Sequence, residues 1–341
     1  MHRYSPIKFI SLACITLVVS LLCGLFSGAS DIPPSKIFGL FASGHMDMDM
    51  DHRILQMIRL PRVLLAALAG ACLASCGAVM QGLFRNPLAD PSLIGVSSGA
   101  SVGASCVIFF GGVSLIGSSL GLPAIAIGAF VGGLLATSVV YKLATSVSGT
   151  SVATMLLAGI AITALSGAVT SLFSFFADNE MLRRISLWQM GNLDGADWPR
   201  VAAMALVAIP LILVLPREGQ ALNAMLLGES EARHLGIAVE KLKRRLILLT
   251  ALGVGVAVAV SGIVAFVGLM VPHLVRLLIG PDHRYLIPGS AILGAALLLL
   301  ADTLARTLMS PAELPTGVIT ALLGAPFFVA LLLQQRQKIV V

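Results

Sequence analysis

The stretch RLPRVLLAALAGACLASCGAVMQGLFRNPLADPSLIG, residues 59 to 95, decides the architecture. A run of apolar and small residues is preceded by Arg59 and Arg62. It is followed by a polar turn, from Arg85-Asn86-Pro87 to Asp90-Pro91, and Leu93 then opens another apolar segment. Proline has no N–H with which to continue a helix. With apolar chain on both sides, the turn must sit at a bilayer surface, and the stretch reads as one hairpin of a many-pass membrane protein.

Composition extends that reading to the whole chain. Of its residues 57% are hydrophobic and 11% charged, with a mean hydropathy of +0.98, against about 25% charged residues in soluble domains. A span needs about 20 predominantly apolar residues. Such runs lie at 9–29, 62–83, 93–110, 120–143, 151–172, 199–216, 246–262, 264–279, 287–308 and 316–333, the stretch from Leu246 to Ile279 being divided near Ser261-Gly262. The expected fold is all-α and polytopic, a single membrane domain over residues 1–341 with about ten transmembrane helices.

A net charge of +6 and a pI near 9.3 could suggest nucleic acid. The basic residues instead sit in short loops beside apolar spans, so no nucleic-acid partner is expected and lipid is the surrounding medium. Short-loop Lys and Arg mark the cytoplasmic side. Arg3, Lys8, Arg85, Lys142, Arg217 and the cluster from Lys241 to Arg245 outweigh Arg53, Arg59, Arg62, Arg183, Arg184, Arg200 and Arg306, which places both termini in the cytoplasm. His2, Arg3 and Lys8 before an apolar run ending in Ser-Gly-Ala-Ser read as a retained first span, with a cleaved signal peptide as the alternative. Cys14, Cys23, Cys72, Cys76 and Cys106 all fall in apolar segments and read as packing residues.

The longest polar connection, residues 217 to 245, is patterned rather than featureless. Ala221 to Leu227 suits one short helix, Gly228 breaks it, Glu229 to Leu235 suits a second, and Gly236 can end that one with positive φ. It is either a docking knob or a solvated connection. No Gly-Lys dipeptide occurs, so the chain lacks a phosphate-binding loop of the nucleotide-hydrolysing type and is not itself an ATPase. Asp302 and Arg306, four residues apart, read as an ion pair, with a proton-relay Asp302 as the alternative. The loop GHMDMDMDH at 44–52 reads as an acidic external loop, although His45, His52 and the methionines could hold a metal. His273 reads as a buried, hydrogen-bonded histidine, with substrate contact as the alternative. Residues 70–95 and 262–289 share a faint similarity that suggests an internal duplication, and residues 178–198 contain a short outer helix, MLRRISLWQM.

Several motifs then converge. RLPR at 59–62, GAVMQ, RNPLADP, LIGVSSGAS at 93–101, LLGESEARHLGI at 226–237, GLMVPHLVRLL at 268–278, the run from Asp282 to Arg306 and ELPTGVITALLGAPFF at 313–328 resemble the FecCD-type permeases of type II ABC importers, which carry ferric siderophores, haem and cobalamin. The resemblance covers essentially the whole chain and is strongest to haem permeases, with ferric siderophore permeases next and cobalamin permeases third. It implies a homodimer in a bacterial inner membrane, with two separate ATPase subunits docked on the cytoplasmic face and a periplasmic binding protein on the other. ATP and Mg would belong to the ATPase, and the permease itself would hold no cofactor or metal.

The resemblance also implies roles for particular residues. Arg59 and Arg306 would meet carboxylates of the binding protein, with headgroup anchoring as the alternative. Leu226, Leu227, Gly228, Glu229, Glu231, Ala232, Arg233, Leu235 and Gly236 would couple to the ATPase. Met155, Gly159 and Thr163, on the fifth span, would line the translocation path.

Overall fold

The computed structural model describes residues 4–28, 32, 50–116, 120–147, 149–310 and 312–339. The deciding stretch forms the hairpin that its prolines and aspartate dictate. Helix α2 (Met50–Leu83) runs to Leu83. Arg85 then turns the chain with φ of 50°, and the Asn86 Oδ1 accepts the Leu88 N–H at 2.9 Å. Asp90 caps a 3₁₀ turn over Pro91–Ile94 by accepting the Ser92 N–H at 2.8 Å. Gly95, at φ of 83°, launches α3 (Val96–Ile116).

Each of the ten apolar runs contains a helix among the described residues. After α1 (Pro6–Phe26), α2 and α3 come α4 (Gly121–Ala144), a two-residue-per-strand hairpin β1 (Thr145–Ser146) and β2 (Gly149–Thr150), and α5 (Val152–Phe176). The outer helix α6 (Asn179–Gln189) precedes α7 (Trp198–Val214), which passes through a 3₁₀ turn into the short helices α8 (Gly219–Met225) and α9 (Glu229–His234). Then follow α10 (Val239–Ser261), α11 (Val267–Ile279), α12 (His283–Thr307) and α13 (Thr316–Ile339). Among the described residues seven helices are long and apolar enough to cross a membrane, and the apolar parts of α3, α11 and α13 are shorter.

Helix edges overrun the apolar runs where polar residues find partners. Helix α2 starts at Met50 rather than Arg62, and a π-turn at Leu55–Arg59 precedes Pro61. One wider turn accommodates a residue that cannot donate the usual hydrogen bond. Helix α10 starts at Val239 rather than Leu246, because Lys243 on its first turns is buried against carboxylates. The division at Ser261-Gly262 stands, with Gly262 at φ of 67° closing α10. The suggested duplication does not carry into local structure: Gly70 lies inside α2, whereas Gly262 ends a helix.

Helix α2 is the central post, with 83% of its span buried, packed along α12 and crossed by α10 and α11. Helices α3 and α4 pair with each other and pack on α10, and α1 packs along α12. Lipid offers apolar side chains no incentive to leave it, so close packing must supply the attraction between helices. Small residues permit this. A Cβ on Gly70 would collide with the Gly294 carbonyl, and one on Gly99 with the Gly132 carbonyl. By contrast only 22% of the α5 span is buried, which leaves one long face of that helix without a neighbour in the monomer.

The bundle has two distinct ends. At one lie the α2–α3 turn, the β hairpin, α8, α9 and the α11–α12 turn, together with the start of α1, whose Tyr4 N–H donates to the Leu278 carbonyl at 3.0 Å. At the other lie the end of α1, the start of α2, the end of α12 and Glu313.

Candidate functional site

At the second end four charged groups converge. Asp302 is 1% exposed and Arg62, about three turns inside α2, donates through Nε to both of its carboxylate oxygens at 3.1 Å. The same guanidinium donates through Nη1 to Glu313 at 2.8 Å. Arg306 Nε lies 3.1 Å from Asp302 Oδ2 across one helical turn, and the Thr316 hydroxyl donates to Oδ1 at 3.2 Å. The Asp302–Arg306 pair is present. Arg62 and Glu313, far away in sequence, complete it.

Arg59 and Arg306 are inside the protein, which corrects the picture of exposed arginines. Arg59 Nη1 donates to the carbonyls of Leu25 at 2.7 Å and Phe26 at 3.2 Å. Arg306 donates to those of Gly24 at 3.0 Å and Ser27 at 3.2 Å. A helix leaves its last four carbonyls unsatisfied and carries partial negative charge there. Two cations from other helices therefore cap α1, and Gly28 leaves room for the Arg59 guanidinium.

At the first end, α8 and α9 form the protrusion. They begin and stop up to two residues earlier than the pattern suggested, with Gly228 at φ of 122° and Gly236 at φ of 85°. Leu227 and Leu235 are well exposed and Leu226 is partly so, while Ala232 is buried. Glu231, Arg233 and Gly236 are exposed. Glu229 is turned inward onto Lys243, at 2.7 Å.

Helix α8 is joined to the start of α12. The Asn223 amide donates to Asp282 Oδ1 at 2.7 Å, and its oxygen accepts the backbone N–H of His283 at 2.9 Å and its ring Nδ1 at 2.8 Å. Hydrogen bonds from Arg284, chiefly, and from Asn223 lower the Asp282 pKa to about 2. In the α2–α3 turn, burial raises the Asp90 pKa, against the lowering effect of the Ser92 hydrogen bonds.

The path residues separate. Met155 is 1% exposed, a core side chain. Gly159 lets α5 touch the Leu93 carbonyl, which any Cβ would strike. Thr163 alone faces open space. It donates to Ser98 at 3.3 Å in a groove of about 410 Å³ lined by Ser98, Ser101, Ser166, Thr170, Ser171, Ser174 and Gln189, with no charged side chain. Sequence reasoning missed this ladder, although Ser166, Thr170 and Ser174 recur at the helical period of four. Where the groove meets the α10–α11 break, Ile263 also lines it.

His273 is buried and lies against Phe327 and Phe328, with ring centroids 6.3 and 6.1 Å away. Neither ring nitrogen makes a close hydrogen bond among the described residues, and the backbone of Pro87 is the hydrogen-bonding group that faces it. Residues 44–49, including His45, lie outside the described residues. His52 is half-buried at the start of α2, and no group of metal-ligating side chains occurs among the described residues.

Comparison with known proteins bears on the whole bundle. The model of the FecCD transport family matches residues 16–334. The chain is 48% identical over 283 residues to the hemin transport system permease protein HmuU of Yersinia pestis, covering 82% of this chain and 83% of that one. It is 47% identical over 279 residues to the cobalamin import system permease protein BtuC of Halobacterium salinarum, covering 82% and 73%. With the vitamin B12 import system permease protein BtuC of Salmonella typhi it shares 41% over 328 residues, covering 96% and 95%. Among solved structures, an ABC transporter of metal-chelate type in an inward-facing conformation superposes with a TM-score of 0.84 at 32% identity, covering 96% of this chain and 99% of that one.

Proposed function

The chain belongs to the FecCD transport family, a type II ABC importer permease, and from that premise we propose that it moves haem from a periplasmic binding protein to the cytoplasm, driven by ATP hydrolysed on a separate subunit. The observation that carries the choice of cargo is the 48% identity to a hemin permease. Cobalamin is the second reading, favoured by relatives at 47% and 41%.

In this reading two copies pair through the open face of α5, so that their hydroxyl ladders line one path. A lining of neutral donors and acceptors lets a large cargo slide, since no fixed charge holds it. The protrusion of α8 and α9 receives the ATPase in the cytoplasm, its exposed leucines forming the apolar centre of the contact and Glu231 and Arg233 its rim. Both chain termini lie on that side of a bacterial inner membrane. On the periplasmic side, carboxylates of the binding protein compete with the α1 carbonyls for Arg59 and Arg306. A carboxylate can take a guanidinium bidentately through two parallel N–H···O bonds, which a single backbone carbonyl cannot do.

The test is uptake into proteoliposomes that contain the permease, its ATPase and a loaded binding protein, with haem, cobalamin and a ferric siderophore compared. Haem accumulation that requires ATP and all three components supports the proposal. Cobalamin or siderophore accumulation instead keeps the importer and overturns the cargo.

A further inference from the structure

Lys243 is a lysine on the first turns of α10 with only 2% of its surface exposed. Its ammonium makes three contacts, and each belongs to a different segment. It donates to Glu229 of α9 at 2.7 Å, to the Thr150 carbonyl of β2 at 2.8 Å, and to Glu240 of its own helix at 3.3 Å. Glu240 in turn accepts the Thr150 backbone N–H at 2.9 Å. Both polar groups of one strand residue are thus held by α10 side chains, one by a cation and one by an anion. Gly149, at φ of 114°, leaves space for the Glu240 carboxylate. Arg233 lies 3.8 Å from both Glu229 and Glu240 and balances the second negative charge.

The position of this cluster is what gives it a consequence. Thr150 immediately precedes Ser151, the N-cap of α5, whose hydroxyl accepts the Thr154 N–H at 3.3 Å. Helix α5 carries Thr163 and much of the hydroxyl ladder. Glu229 lies on the exposed protrusion. A displacement of α9 therefore reaches the base of α5 chiefly through this buried ammonium, with the longer Arg233–Glu240 contact beside it, whereas the covalent route from α9 to α5 runs back through α8, α7 and α6.

We propose that Lys243 is the positioning residue that relays movement of the α9 protrusion to the β hairpin and the base of α5. The inference rests on the reading of α8 and α9 as the ATPase contact. Lys243 touches neither cargo nor nucleotide. Its role is to keep three segments in one rigid unit, which is why a buried cation with a complete set of partners serves better than an apolar packing residue: losing one contact leaves charge uncompensated, so the partners move together.

The test uses the full complex of permease and ATPase and needs no knowledge of the cargo. Hydrogen exchange of peptides covering α8–α9 and the hairpin at 145–150 is measured with and without a non-hydrolysable ATP analogue, alongside ATPase activity. In the unaltered complex the analogue changes exchange in both regions. Lys243→Met keeps the change at α8–α9 but reduces that at the hairpin about tenfold, on the scale of coupling between sites. Glu229→Gln, which preserves shape and leaves the Lys243–Thr150 contact in place, reduces it in the same direction and guards against a folding defect in the first variant. A hairpin that responds fully in Glu229→Gln, or in a folded Lys243→Met, overturns the relay. An unaltered complex in which α8–α9 itself ignores the nucleotide overturns the docking assignment beneath it, and the two failures are distinguishable.

Discussion

Replacing Asp302 by alanine removes the anion on which two buried guanidinium groups converge. Arg62 would keep one partner, Glu313, whose side chain is 39% exposed. Arg306 would keep only neutral carbonyls of α1. Breaking a buried pair by deleting one member costs about 3–5 kcal/mol, because the surviving charge is left in a poor solvent. Here one orphan retains a screened partner and the other retains hydrogen bonds, which places the expected loss near the lower limit, about 3 kcal/mol, or roughly a hundredfold in the folding equilibrium. Glu313→Gln removes a partner that water already screens and should cost under about 1 kcal/mol. Reversible unfolding in mixed detergent micelles, followed by circular dichroism, measures both. If Asp302→Ala falls within about 1 kcal/mol of the parent while Glu313→Gln costs as much or more, the carboxylate at 302 is not what holds this end of the bundle.

Other outcomes follow from the same geometry. Gly99→Leu should separate α3 from α4 at the Gly132 carbonyl and cost about 1–3 kcal/mol through overpacking, seen as a lower melting temperature in detergent, whereas Gly167→Leu, which meets nothing within 4 Å, should leave the monomer's stability unchanged. Asp282 has a folded pKa of about 2 against an ordinary 3.8, so the stability it contributes is complete above its unfolded value and is lost as pH falls through the folded one. The melting-temperature difference between parent and Asp282→Asn should accordingly stay constant above the ordinary value of 3.8 and close as the pH approaches 2. Reversing Arg59 and Arg306 together to glutamate should loosen the end of α1, read as faster proteolysis after residue 28, and weaken capture of the loaded binding protein at low salt. Unchanged capture would remove those arginines from the docking surface.

Much of the bundle was legible because a bilayer tolerates so few kinds of chain. Every spanning segment must satisfy its own backbone and be apolar for its length, so ten runs and the break at Ser261-Gly262 could be read directly. Gly228 and Gly236 likewise announced two short helices, since residues with positive φ punctuate the chain locally. What remained hidden depends on distant sequence. The i, i+4 spacing reveals Arg306 as a partner of Asp302, but nothing local links Asp302 to Arg62, 240 residues away. An arginine outside an apolar run looks exposed, and only the arrival of the α1 carbonyls shows that Arg59 is buried. Met155, Gly159 and Thr163 recur four apart and so share one stripe of α5, but the neighbours along that stripe differ, and Leu93, which covers Gly159, comes from another turn of the chain.

The fastening of α1 also has a bearing on how the protein is made. Arg59 holds the carbonyls of Leu25 and Phe26, but those of Gly24 and Ser27 wait for Arg306, which lies 282 residues beyond Gly24. At about 5–20 residues per second, a ribosome takes some tens of seconds to supply it. During that interval the end of α1 keeps the two carbonyls held by Arg59 satisfied and lacks its second cation. One part of this helix end is thus secured by a neighbour in sequence and the other only once a late segment of the chain has been made.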